Sequence, residues 1–166
     1  HLIRCVGDPM ERFSEDALRI LRAVRFSAQL SFPIEKETAK AVRKLAPTLK
    51  NISAERIRVE LLKLLMSDHP ELIQDAYELG IARVILPEWD AMAGVKQHTP
   101  HHKYDVAEHT LWALKNVKKD KILRLTMLLH DMGKPYMRTT AEAAVGSLQK
   151  HASCPDEAVR AGFRRS

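Results

Sequence analysis

The stretch Arg12–Leu30, RFSEDALRILRAVRFSAQL, decides the fold. Ser14 is a favoured N-cap residue, and Glu15 and Asp16 after it suit the positive end of a helix dipole, so the pattern predicts a helix beginning near residue 15. At about 100° per residue, Ala17, Ile20, Leu21, Val24 and Ala28 fall on one arc, the mark of a helix that buries one side. Asp16, Arg19, Arg22 and Arg25 recur every third residue and form a ridge that drifts around the other side. One acceptor and three donors in a row admit two readings. The plain one is a solvated face, with Asp16 and Arg19 paired across one turn for about a few tenths of a kcal/mol. The sharper one gives Asp16 and Arg19 to the edge of a nucleobase and Arg22 and Arg25 to phosphates, a task the planar guanidinium fork suits.

Outward from this stretch the chain continues in short helices. Ser31, Phe32 and Pro33 break the pattern, and a second helix is predicted from Glu35 to Leu45, stopped by Pro47. Ala41, Val42 and Leu45 share its inner arc, while Lys36, Lys40, Arg43 and Lys44 share the outer one; this basic face is either solvated or a track for an RNA backbone. Ser53 caps a third predicted helix, Ala54 to Met66, with Ile57, Leu61, Leu64 and Leu65 as its core stripe. Pro70 fits a helix start, Gly80 a helix end, and Ile81 to Leu86 a further short helix ending at Pro87. The opening residues HLIRCVG read as a short strand in an otherwise helical chain, and the fold class expected is an all-α helical bundle.

Composition narrows the partners. A net charge of +6 and a pI near 9.4 suit a polyanion such as nucleic acid. Only Cys5 and Cys154 are present, which fits a reducing compartment better than a disulfide-stapled secreted domain. No secretory start and no apolar run long enough for a membrane span is seen, so a cytoplasmic location is expected.

From Lys96 the texture changes to KQHTPHHKYDVAEHTLWAL, with His98, His101 and His102 in a Pro-containing loop. Asp105 can cap a helix from Val106 to about Val117 that carries His109. The next predicted helix runs through KILRLTMLLHDMGKP, with Leu125 to Leu129 expected inside and His130 and Asp131 at its C-terminal end. An isolated helical histidine is usually a satisfied core residue. An imidazole and a carboxylate buried together need a partner, and a divalent metal such as Mg, Mn, Fe or Zn is a natural one.

The run GDPMERFSEDALRILRAVRFSAQLSF, Gly7 to Phe32, resembles the neck of bacterial class II CCA-adding tRNA nucleotidyltransferases and their poly(A) polymerase relatives, and ERIRVELLKLL resembles another motif of that neck. The resemblance implies that Glu15, Asp16 and Arg19 form the family's E-D-x-x-R template, in which Asp16 and Arg19 read the incoming CTP or ATP, with Arg22 and Arg25 at further nucleotide contacts. Glu55, Arg56 and Glu60 are read as structural, holding the first helix by ion pairs. His109, with a His-Asp pair 21 residues later, resembles the HD superfamily of metal-dependent phosphohydrolases. That likeness implies a metal site at His109, His130 and Asp131; His151 is a further match, and the distal aspartate of the usual ligand set is not met before Ser166.

The organisation expected is therefore a neck and RNA-binding region over 1–94 and a truncated HD-type helical domain over 95–166. With no methionine at its start, the chain reads as the middle of a longer enzyme. The family's catalytic head, with the carboxylates that hold Mg, is expected before His1, so no catalytic residue is assigned within the chain. The implied activity is addition of CMP and AMP from CTP and ATP to tRNA 3′ ends. The rival readings are an HD-type metal-dependent phosphohydrolase and a noncatalytic RNA-binding module.

Overall fold

The computed structural model describes residues 1–92 and 106–132, apart from the side chains of Asp90, Met92 and Val106. The expected histidine loop at His98, His101 and His102, the Asp105 cap and the His151 match lie outside the described residues.

The leading segment folds as two helices where the sequence pattern predicts one. Asp8 caps α1 (Pro9–Glu15), its Oδ1 accepting from the backbone N–H of Met10 at 2.6 Å and of Glu11 at 3.3 Å, with Pro9 in the first turn, where its missing N–H costs nothing. Ser14 is not a cap. It sits in the last turn of α1, and its hydroxyl donates to the Met10 carbonyl at 2.7 Å. The chain turns at Asp16, whose backbone is extended (φ −149°, ψ 102°), and α2 (Leu18–Leu30) follows. Asp16 Oδ1 accepts from Leu18 N–H at 3.1 Å, doing for α2 what Ser14 was expected to do. The predicted inner arc is correct: Ile20, Leu21, Val24 and Ala28 are buried, with Ala17 at the margin. α2 ends at Ser31 in the left-handed region (φ 54°).

The N-terminal residues make a single parallel bridge between Ile3 and Ile34, through Ile3 N–H to Pro33 O and Glu35 N–H to Ile3 O, both 2.9 Å, rather than the expected strand. α3 (Lys36–Leu45) buries Ala41 and Val42 and exposes Lys36, Lys40, Arg43 and Lys44, as its periodicity requires. A 3-10 turn, Ala46–Asn51, leads to α4 (Ala54–Leu65); Ser53 holds the N-cap position without a side-chain cap bond. A second 3-10 turn, Pro70–Leu72, leads into α5 (Ile73–Glu78). Gly80 then turns the chain at φ +75°, a conformation costly for residues with a Cβ, and α6 (Ala82–Ile85) and α7 (Pro87–Met92) follow.

α8 (Val106–Asn116) and α9 (Lys121–Leu129) form a helical hairpin whose second helix is capped by Asp120, accepting from Ile122 and Leu123 N–H at 2.9 and 3.0 Å. α2 packs mainly on α4, α1 on α3, α8 on the Pro70–Leu72 turn, and α9 on α4. These described residues share one core, within a unit spanning His1–Met132. No strand occurs among them, and none of their helices is long and apolar enough to cross a membrane.

The expectation that Leu125 to Leu129 lies inside needs correction. Leu128 is buried, but Leu129 is exposed, and the companion of Leu128 on the inner face is Arg124. The Arg124 guanidinium reaches α4 from α9, its Nη1 donating to Leu65 O at 2.5 Å and Ser67 O at 2.6 Å. It thereby answers carbonyls that the end of α4 would otherwise leave unpaired.

Between α2 and α5, Ser27 Oγ donates to Phe32 O at 2.8 Å and lies 3.5 Å from Asp75 Oδ2. One hydroxyl proton cannot serve both acceptors well, and burial, then the neighbouring Glu78 charge, raises the Asp75 carboxyl above its usual range. The native state thus binds this proton more tightly than the unfolded chain. Its contribution is full below the unfolded value and is lost as pH rises through the raised one. Asp75→Asn is expected to raise the melting temperature by about 1–2 °C near pH 7 and by nothing near pH 3, measured by thermal circular dichroism, a small effect because the carboxyl remains partly solvated.

Candidate functional site

The corner between α1 and α2 gathers the charged ridge. Glu15 at the end of α1 accepts from two guanidiniums, Arg12 Nη1 at 2.6 Å and Arg19 Nη1, and these hydrogen bonds, that of Arg19 above all, hold its carboxyl below the usual range. Arg19 Nη1 also donates to the Arg12 carbonyl at 2.8 Å, so both of its hydrogens are placed. Asp16 accepts from Arg56 Nη2 of α4 at 3.2 and 3.4 Å as well as from Leu18 N–H. The two side chains remain open to solvent, Asp16 at 25% and Arg19 at 31% exposure. The pair with Arg56 is of the kind expected of that residue, whereas the tie of Arg19 to Glu15, in place of a pair with Asp16, was not expected.

Asp16 and Arg19 line different cavities. Asp16 belongs to one of about 400 Å³, with Ser14, Glu15, Thr48, Asn51 and Arg56. Arg19 belongs to one of about 240 Å³, where Arg4, Arg12 and Arg22 surround apolar walls from Ile3, Phe13, Ala23 and Phe26. Arg19 and Arg22 are thus brought together, and Asp16 lies around the corner from both. Arg22 Nε is 3.8 Å from Glu60, whereas Arg25 Nε is 2.9 Å from it and the Arg25 guanidinium lies over the Phe26 ring at 4.1 Å. Glu60 is buried, with Lys63 as a third cation at 3.5 Å. Of the three residues read as struts, Arg56 and Glu60 do bridge α4 to the leading segment. Glu55 instead pairs with Arg58 of its own helix at 2.8 Å.

Arg4, Arg12 and Phe26 were missed by sequence reading. Arg12 precedes the expected helix, and no periodicity carries across the turn at Asp16; Asp8-Pro9 followed by Glu11 was the signal for the extra helix.

A second cluster forms where α8 meets the end of α9. His109, His130 and Asp131 each offer a ligand atom, all within 4.8 Å of one another, and the two imidazole centroids are 5.7 Å apart. His130 Nδ1 lies 2.7 Å from Met127 O, and because a carbonyl only accepts, Nδ1 carries the proton. The other ring nitrogen, Nε2, then faces Asp131 Oδ2, 3.3 Å away, with the carboxyl group buried. Two imidazole nitrogens and a carboxylate oxygen are a donor set suited to a divalent ion, and a histidine oriented through its other nitrogen is the usual arrangement at such sites.

A helical body with this basic corner matches known proteins. A family model described as "Probable RNA and SrmB-binding site of polymerase A" matches residues 31–92. A CCA-adding enzyme of Limosilactobacillus reuteri is 56% identical over 70 residues, 42% of this chain and 17% of that protein. A multifunctional CCA protein of Pseudomonas fluorescens is 39% identical over 132 residues, 74% of this chain and 32% of that one. Among solved structures, the CCA-adding enzyme of Bacillus stearothermophilus in complex with CTP matches with a TM-score of 0.60 and 29% identity, over 93% of this chain and 39% of that one. The class these matches define is an all-helical body similar, over residues 31–92, to the segment of polymerase A so described. The chain is similar to the CCA-adding enzymes over these stretches and spans a third or less of the length of these curated relatives.

Proposed function

We propose that this chain supplies nucleotide selection and RNA binding to an enzyme that adds CMP and AMP, from CTP and ATP, to tRNA 3′ ends. The observation that carries the reading is the arginine-rimmed, apolar-walled cavity beside Arg19 and Arg22, one helical corner from Asp16. Cytosine and adenine both present an exocyclic amine next to an unprotonated ring nitrogen. A carboxylate accepts from the amine and a guanidinium donates to the ring nitrogen. Uracil and guanine offer a carbonyl and a ring N–H instead, which leaves Asp16 and Arg19 mismatched.

Arg56 orients the Asp16 carboxylate, and Asp16 Oδ2 retains lone-pair capacity beyond that pair. Arg19 retains its Nη2 and Nε hydrogens. Bringing the two to one base requires a rotation of these side chains about the α1–α2 corner. Arg22, more exposed than Arg25, is the better placed for phosphate, and Arg25 supports it from the Glu60 pair. Mg, when bound by carboxylates elsewhere in the enzyme, supplies the charge stabilisation for attack of the RNA hydroxyl on the α-phosphate. Competition among CTP, ATP, UTP and GTP in the enzyme carrying this chain tests the reading, and equal use of all four would refute it.

The His109, His130 and Asp131 cluster favours a second activity, metal-dependent phosphohydrolysis of the HD type. A divalent ion held there supplies a Lewis acid and an activated water, while Met127 O fixes the imidazole that faces it. Titrating the chain with Mn or Co by calorimetry is expected to show one site. His130→Ala is expected to weaken it at least about tenfold, and an unchanged isotherm would remove these residues from metal binding.

A further inference from the structure

We propose that the closed end of the α8–α9 hairpin is an additional RNA-contact surface, taking the phosphodiester backbone and one unstacked base of a strand. It rests on the RNA-binding reading above but lies outside residues 31–92, the segment matched as RNA-binding. Trp112 is 58% exposed, an unusual position for the largest side chain, and it sits on the face of α8 that also carries Lys115 and Asn116, one turn on. The turn that follows adds Lys118, Lys119 and Lys121, so four lysines and one aspartate fall within residues 115–121. That aspartate, Asp120, is committed to the N-terminus of α9, and Lys119 is committed to Asp68 at 2.6 Å. Lys115, Lys118 and Lys121 have no acidic partner among the described residues. Glu108 is the acid nearest along α8, a full turn before Trp112.

An indole flanked by unpaired ammonium groups meets both demands of a nucleic-acid strand. The lysines displace counterions from phosphates, and the ring stacks on a base without regard to its sequence. Ile122, at 74%, and Leu123 are also exposed in the first turn of α9. Charge complementarity selects RNA among the occupants such a patch can take, because three unpaired lysines disfavour a second copy of the same basic chain.

The chain carries its own reporter: of its two tryptophans, Trp89 is fully buried and Trp112 is exposed, so stacking of a base quenches one ring only. The experiment is titration of the 166-residue chain with a tRNA transcript and with single-stranded RNA, following fluorescence and repeating at several salt concentrations, with thermal melts as the fold control. Trp112→Ala is expected to weaken binding about tenfold, and Trp112→Phe to keep the affinity while losing the quench. Lys118→Gln with Lys121→Gln is expected to lower the slope of log affinity against log salt by about 1.5. Loss of affinity in Lys40→Gln/Lys44→Gln on α3, with no change in any hairpin variant, would overturn this surface and leave the RNA-binding reading standing. No binding of RNA by the wild-type chain would overturn both. Trp112-dependent binding to anionic phosphatidylglycerol vesicles, or Trp112-dependent self-association, without an effect on RNA would also overturn it.

Discussion

Replacing Glu60 by alanine is expected to lower the melting temperature of the chain by roughly 10 °C. The side chain is 5% exposed, and its nearest cation, Arg25, is only 13% exposed. Their atoms approach to 2.9 Å, yet neither Arg25 Nε nor Glu60 Oε2 makes a directed hydrogen bond, so the attraction is Coulombic in a weakly screened setting. Alanine at position 60 leaves a desolvated guanidinium against α4, a loss of the order of 3–5 kcal/mol when one member of a buried pair is removed. Arg22 and Lys63 are about half exposed and can turn to water; Arg25 cannot. Glu60→Leu combined with Arg25→Leu is expected to recover most of the stability, since apolar replacement of both partners is often neutral. A single variant that melts within about 2 °C of the wild type would show that the pair is not buried as described.

Replacing Arg19 by alanine in the enzyme that contains this chain is expected to cut the preference for CTP over UTP by about 10- to 100-fold, the scale of one two-point hydrogen-bond contact to a base. Binding of tRNA is expected to change by less than about twofold, because one rim charge among many contributes little at physiological salt. The guanidinium is anchored through Nη1 to Glu15 and the Arg12 carbonyl, so its removal frees Glu15 to pair with Arg12 alone and leaves α1 and α2 folded. Kinetics with each nucleotide and a filter-binding assay with tRNA check the two halves. Retained discrimination would remove Arg19 from base reading.

Much of the helical architecture was legible because burial follows the 3.6-residue period: the inner arc of α2, the split of α3 into apolar and basic faces, and the ends marked by Gly80 and Pro87 all follow from local pattern. The misreading of the leading helix has a local cause. Ser14 and Asp16 are both good caps, and the choice between them depends on whether Asp8 has already opened a helix. Propensity within a short window does not decide this. The burial of Arg124 in place of Leu129 was hidden for a different reason: its partners are main-chain oxygens, which leave no mark in a side-chain pattern. At the candidate sites, spacing gave the arginine ridge, while His109, His130 and Asp131, which the fold brings together, were named through the resemblance to the HD superfamily. The separation of Asp16 from Arg19 into two cavities depends on the extended backbone at Asp16 and on Arg56, 40 residues away.

The grip of Arg124 on Leu65 O and Ser67 O has an asymmetric genetic consequence. The oxygens it holds belong to every amino acid alike, so no exchange of side chain along α4 can delete them. A saturation scan should therefore find Arg124 intolerant, while the two oxygens it holds survive every exchange of side chain at residues 65 and 67. Compensating second-site changes, common where two side chains meet, would have nowhere to arise.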